Sequence, residues 1–205
     1  MISLNNLVIG YNQPLMPALN ICFEDGLVYG VLGQSGCGKS TLLKTINGTL
    51  RPLSGSVERS NDAAIYTMHQ RYTNFSWLRC VDNVLIAERN RRRRKERRAE
   101  ACEILREVGL GGYLDRYPAE LSGGMQQRLA LARVLFVRPS VLLMDEPLSA
   151  LDDATRADMQ NLILRVHRET GGIIVMVTHS VREAETMCDQ IINFSWFKGG
   201  KNGIT

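Results

Sequence analysis

Gly33-Gln34-Ser35-Gly36-Cys37-Gly38-Lys39-Ser40 is a glycine-rich stretch closed by a lysine and a hydroxyl. It fits the spacing G-x-x-x-x-G-K-[ST] of a loop that wraps phosphates. The chemistry is direct. Glycines remove Cβ atoms, so successive backbone N–H groups can converge on phosphate oxygens. A helix that starts at the end of the loop adds free donors and partial positive charge. In such a loop Lys39 reaches the β- and γ-phosphates and the Ser40 hydroxyl coordinates Mg²⁺, while the Thr41 N–H points to the α-phosphate. The bare pattern also arises as a glycine turn. What distinguishes the two is context, a strand before and a helix after.

A second constellation is Asp145-Glu146-Pro147, preceded by the apolar run Val141-Leu142-Leu143-Met144. A buried strand ending in two acids delivers carboxylates to the carboxyl edge of a sheet, where open α/β folds bind ligands. Asp145 there holds Mg²⁺, directly or through water, and Glu146 is the natural general base for an attacking water. Asp-Glu-Pro can also start a helix, and the two readings are compatible. A third is Leu121-Ser122-Gly123-Gly124-Met125-Gln126-Gln127-Arg128. Ser122 is a good N-cap, and the glycines beside it offer bare N–H groups to an anion.

The elements that must hold these groups are legible in outline. Leu27-Val28-Tyr29-Gly30-Val31-Leu32 enters the glycine loop, and Thr41-Leu42-Leu43-Lys44-Thr45-Ile46 leaves it as a helix. With Val141–Met144 and Ile173–Val177 it forms a set of short apolar runs without alternation, which suits strands buried on both faces of a parallel sheet. A helix is expected from about Ala154 to Glu169, with Leu162, Ile163 and Val166 on one face and Gly171-Gly172 as its stop. Another begins after His179, where Ser180 and Glu183 stand at capping-box spacing. The class is α/β with a mostly parallel central sheet. The stretch from about Tyr72 to Tyr117 is helical in character and reads as an insertion into that core.

Composition bounds the rest. The 205 residues suffice for one domain, with 44% hydrophobic and 22% charged residues. No stretch approaches the roughly 18 apolar residues of a membrane span. The start, Met1-Ile2-Ser3-Leu4-Asn5-Asn6, lacks the regions of a signal peptide. The expectation is a cytosolic protein that reaches a membrane only through a partner. Cys22, Cys37, Cys80, Cys102 and Cys188 are scattered and form no Cys-x-x-Cys pair, which favours reduced thiols over a disulfide or zinc framework. Cys37, inside the glycine loop, reads as a bystander that makes the protein sensitive to thiol reagents. The net charge of +4 is local. Residues 89 to 98 hold eight Lys or Arg and one Glu, a net of +7, so the other 17 basic and 20 acidic residues sum to −3.

Taken in order, these motifs resemble the ATP-binding cassette (ABC) family across nearly the whole chain. Tyr11 stands where the family places an aromatic on the adenine. Gln70 begins the segment between core and helical subdomain, Ser149-Ala150-Leu151-Asp152 looks like the D-loop, and His179 looks like the switch histidine. The resemblance implies a P-loop NTPase core with an N-terminal antiparallel β portion and an inserted α-helical subdomain. The core would span 1–71 and 139–205 and the helical subdomain 72–138. It implies ATP and Mg²⁺ as cofactors, with Gln70 as a Mg²⁺ and water ligand and His179 on the γ-phosphate. It also implies a dimer in which each ATP lies between residues 33–41 of one chain and Ser122, Gly123 and Gly124 of the other.

The segment from Gln70 to Val84, with its Trp77-Leu78 pair and Asp82-Asn83-Val84, resembles nitrate, sulfonate and taurine importers. That likeness implies an integral membrane permease docked on Gln70–Val84 around an exposed Phe75-Trp77 cluster. It further implies a substrate-binding protein outside the membrane, and a peripheral position on the inner face. Met68-His69, Ser180 and the dense arginine run depart from the group's pattern, and the chain ends soon after Trp196. The alternative is a non-transport ABC ATPase acting on nucleic acid or the ribosome through residues 89–98. No long coiled coil or zinc module stands between the loop and Leu121, so no nucleic-acid partner is expected.

Overall fold

The structure is a computed structural model that describes residues 1–60, 64–69, 74–88, 90–149 and 151–194. Gln70, Arg89, Ala150 and Trp196 lie outside the described residues, as does Tyr72 at the expected edge of the helical insertion. The chain divides into two compact units. One comprises the described parts of Met1–Thr67, Pro139–Pro147 and His167–Thr205, and the other those of Met68–Arg138 and Leu148–Val166.

The first unit holds two sheets. β1 (Ile2–Val8), β2 (Leu19–Phe23) and β4 (Ser54–Arg59) form an antiparallel sheet in the order β2-β1-β4. β2 alternates buried and exposed residues, as a strand with one wet face must. The second sheet has five strands: β3 (Val28–Leu32), β5 (Ile65–Met68), β6 (Val141–Asp145), β7 (Ile173–Thr178) and β8 (Gln190–Asn193). Their order is β5-β6-β7-β3-β8, and β6, β7, β3 and β8 run parallel. Every residue of β3 and β7 is buried, as are the first four of β6. That is the two-face burial the unalternating apolar runs demand.

The core of this unit joins both sheets to helix α1 (Lys39–Ile46), through Ile2, Leu4, Phe23, Leu42, Leu143 and Val175 among others. Tyr29 packs its ring edge on Phe23 at 4.9 Å, and its hydroxyl accepts from the Glu24 N–H.

The second unit is helical. It contains α2 (Cys80–Leu85), α3 (Arg91–Glu96), α4 (Arg98–Glu107), α5 (Gly123–Val137) and most of α6 (Asp153–Thr170). The α6 helix runs to Thr170, and Gly171, at φ 63°, donates to the His167 carbonyl and ends it. A short helix α7 (Val181–Met187) follows β7 in the first unit.

Candidate nucleotide-binding site

Three neighbouring strands deliver the expected groups to one edge. β3 leads into the glycine loop, β6 into Asp145-Glu146 and β7 into His179. β7 lies between the other two, with Leu32 opposite Thr178 and Asp145 opposite Val177. Parallel strands are spaced about 4.8 Å apart, so the strand ends bearing Gly33 and Asp145 stand about 10 Å from each other.

The loop itself is built by backbone geometry. The Cys37 N–H donates to the Gln34 carbonyl at 3.3 Å, closing a four-residue turn with Gly36 at φ 77°. Gly38 at φ 108° then turns the chain into α1. L-residues with a Cβ rarely adopt these angles. Gln34, Ser35 and Gly36 are exposed at the tip, whereas Lys39 and Thr41 are buried and Ser40 is half-buried. No side chain caps the start of α1, and its first turn has no acid. Its N-terminal donors are therefore left to an anion. The Lys39 ammonium donates to the carbonyls of Gly33 at 2.7 Å and Gln34 at 3.0 Å. Two of its three donors are thus held by the loop that it serves.

Cys37 requires a correction. It is buried in the core of the first unit, and a Cβ added at Gly33 would come within 2.7 Å of its sulfur. The side chain points into the fold, so the expected sensitivity to thiol reagents does not belong to this residue.

At the acidic strand end, Glu146 adopts φ 50° while its N–H donates to the Val177 carbonyl at 2.9 Å. A non-glycine residue in the left-handed region costs on the order of 1 kcal/mol and persists only where the surroundings hold it. The bond to β7 is such a hold. Residues 146 to 149 turn, so Asp145-Glu146-Pro147 does not start a helix here. The Glu146 carboxylate, mostly buried, faces the exposed His179 with Oε1 3.4 Å from Nδ1.

Behind His179 lies a group that sequence reasoning saw only as a cap. Ser180 Oγ accepts from the Glu183 N–H at 3.2 Å, which is half of a capping box. The other half is diverted. The Glu183 carboxylate accepts from the Thr178 hydroxyl, and the Ser180 N–H donates to that same Thr178 oxygen at 3.0 Å. Thr178 and Glu183 are both buried. The residues on either side of His179 are therefore tied together through the Thr178 hydroxyl, which the buried Glu183 carboxylate holds in place. The S-x-x-E spacing was the only signal in the sequence.

Tyr11 is 60% exposed, with its hydroxyl 3.5 Å from the Lys44 ammonium. Gln70 lies outside the described residues.

In the helical unit Ser122 caps α5, accepting from the Met125 N–H at 3.3 Å, with Gly123 and Gly124 as the first helical residues. Nothing lies within 4 Å of a Cβ added at Gly123, so its backbone is open. Trp77 is 69% exposed and meets Phe75 at 5.4 Å in an edge contact. Phe75 is only part-exposed, with the Arg133 guanidinium 5.1 Å from its ring centre. Asn83, fully buried, organises this loop. Its Oδ1 accepts from the Phe75 N–H, and its amide donates to the carbonyls of Phe75, Leu78 and Arg79.

The comparisons with known proteins fall in one family. Residues 16–149 match the family model described as ABC transporter. The chain belongs to the ABC transporter family. It is an ABC ATPase, the cassette that binds and hydrolyses ATP. A taurine import ATP-binding protein, TauB of Ruegeria pomeroyi, is 37% identical over 93% of this chain and 76% of its own length. An aliphatic sulfonates import ATP-binding protein, SsuB of Rhodopseudomonas palustris, is 39% identical over 88% of this chain and 66% of its own. Among solved structures, the dimeric ABC transporter cassette MJ0796 superposes with a TM-score of 0.84 at 30% identity, covering 94% of each chain. A post-hydrolysis dimer of the same cassette bound to ADP and Pi gives 0.81 at 27%, again covering 94% of each. The α/β fold with its antiparallel sheet is that of these ABC cassettes.

Proposed function

We propose that this chain is the ATP-hydrolysing subunit of an importer of the taurine and sulfonate kind, working as a dimer beneath an integral membrane permease. The observation that carries the reading is the common edge of β3, β6 and β7. It gathers the Lys39 loop, the Asp145-Glu146 pair and His179 in one unit. The names of the relatives support the substrate class, and the dimeric cassettes support the assembly. Among the described residues no helix is long and apolar enough to cross a membrane, so attachment would come through the permease on the inner face. A substrate-binding protein outside the membrane would supply specificity.

In this reading ATP lies with its adenine on Tyr11 and its phosphates in residues 33–41, against the free donors of α1. Lys39 turns its remaining donor to the transferring phosphate. Ser122, Gly123 and Gly124 of a second copy close the site from the other side. The Glu146 carboxylate takes a proton from water as its oxygen attacks the γ-phosphorus, and the bridging oxygen leaves with ADP. His179 holds the γ-phosphate side of that arrangement. Catalysis is then positioning and electrostatics.

The residues fit a Mg²⁺ ion held mainly by nucleotide and water. Ser40 and Asp145 offer hard oxygen donors, Gln70 is the third proposed ligand, and no group of three acids, histidines or cysteines among the described residues forms a metal site alone. When bound, the ion neutralises charge on the phosphate oxygens.

The test is affinity capture of the tagged chain from detergent-solubilised membranes. The importer reading expects an integral membrane permease, and capture of ribosomes or DNA without one would overturn it.

A further inference from the structure

The dense basic run is not uniform. Its arginines sort into two kinds. Arg94 folds back, donating to the carbonyls of Glu88 at 2.5 Å and Ile86 at 3.5 Å just after α2. Arg97 stacks over the Phe136 ring at 3.8 Å, donates to the Phe136 carbonyl, and pairs with Glu88 and Glu100. Arg98 lies 3.6 Å from Asp82. These three serve the fold. Arg91, Arg92, Arg93 and Lys95 do not: all four are exposed on α3, and the ion pair found for them among the described residues is Arg92 to Glu96 at 3.6 Å. With about 100° per residue, the four cover an arc of about 200° opposite Arg94. The outer face of α3 therefore carries four cations against one acid, Glu96, on a chain whose residues outside 89–98 sum to −3.

We propose that the outer face of α3, through Arg91, Arg92, Arg93 and Lys95, is a docking surface for the anionic lipid headgroups of the membrane that carries the permease. The proposal rests on the importer reading, which puts the chain beneath a bilayer. Charge complementarity is its physical basis. A basic cluster on an otherwise acidic body is drawn to, and oriented by, a negatively charged surface. A merely solvated face would carry the two signs in comparable number, whereas here Glu96 offsets one of four cations. Nucleic acid fits less well. No aromatic residue stands among residues 89–98 to stack a base, and α3 has only six residues, under two turns.

The experiment is sedimentation of the full chain with vesicles. One set is phosphatidylcholine alone and the other contains one-third phosphatidylglycerol. The expected result is binding to the anionic vesicles only, reversed by high salt. Each cation is worth about fivefold in partitioning. The combined variant Arg91→Gln, Arg92→Gln, Arg93→Gln, Lys95→Gln thus weakens binding by at least about 100-fold while ATP hydrolysis stays unchanged. Equal binding to neutral vesicles, or full binding by the variant, overturns the proposal. So does displacement from anionic vesicles by a single-stranded oligonucleotide that binds through the same four cations. Failure here with the permease still captured from detergent sinks the lipid surface alone. Failure of both sinks the importer reading.

Discussion

His179 Nδ1 lies 3.4 Å from Glu146 Oε1, and the two residues follow neighbouring strands, β7 and β6. The separation exceeds that of a well-made N–H···O bond, so the two side chains face each other rather than lock. Their alignment depends on what holds each backbone. For Glu146 it is the left-handed turn pinned to Val177, and for His179 it is the Thr178–Ser180–Glu183 cluster.

Glu183 is accordingly a positioning residue. Glu183→Ala removes the acceptor for the Thr178 hydroxyl and frees the turn that carries His179. The expected outcome is a drop of about tenfold in kcat with KM for ATP little changed, because a misplaced group costs the reaction rather than ground-state binding. Glu183→Gln keeps an acceptor oxygen and restores most of the rate. Steady-state kinetics on both variants check this, and equal rates in wild type and Glu183→Ala contradict it.

Asn83 makes four hydrogen bonds to residues 75–79 from a fully buried position. Replacing it by Ala leaves those groups to find other partners, at a cost of about 2–3 kcal/mol of stability. The loop bearing Trp77 loses its fixed shape. Capture of membrane permease from detergent extracts falls more steeply for Asn83→Ala than for a Trp77→Phe variant, which keeps the loop and an aromatic face.

Acid weakens the helical unit in a defined direction. The Arg97 guanidinium, by its hydrogen bond to Glu100, holds that carboxyl below its ordinary range. The Asn90 backbone N–H, and then Arg97, do the same for Glu88. A carboxyl lowered on folding adds stability above its unfolded value and loses it as the pH falls through its folded one. Thermal unfolding is thus flat from about pH 7 to 5 for these groups and falls steeply below. Glu100→Gln flattens the acid limb. An unchanged acid limb in that variant contradicts the assignment.

Thiol labelling separates the cysteines. Burial pushes the Cys80 thiol up to about 11 and the Cys188 thiol up to about 12, with Glu183 and Asp189 adding to the latter. Cys37 is buried, while Cys22 is exposed on β2. Mass spectrometry after brief alkylation finds Cys22 modified and Cys37, Cys80 and Cys188 protected. Early modification of Cys37 contradicts its packing.

Much of this architecture is written locally. The glycine loop, the unalternating strands, the Ser122 cap and the glycine stop of α6 each depend on a few adjacent residues, so pattern alone reveals them. Other features depend on contacts distant in sequence. Nothing in Asp-Glu-Pro announces that Glu146 turns left-handed, because the bond that fixes it comes from Val177 on another strand. The capping-box spacing of Ser180 and Glu183 was visible, but not the diversion of the carboxylate to Thr178. In sequence the basic run is one patch, whereas in the fold Phe136, Glu88 and Glu100 take Arg97 out of it.

Glu146 is the proposed acceptor of the proton from the attacking water. Its direct measurement is phosphate release by Glu146→Gln, with nucleotide retention followed in parallel. The expected result is turnover reduced by at least about 100-fold, with ATP still bound and the dimer favoured. Turnover within a few-fold of wild type would contradict it.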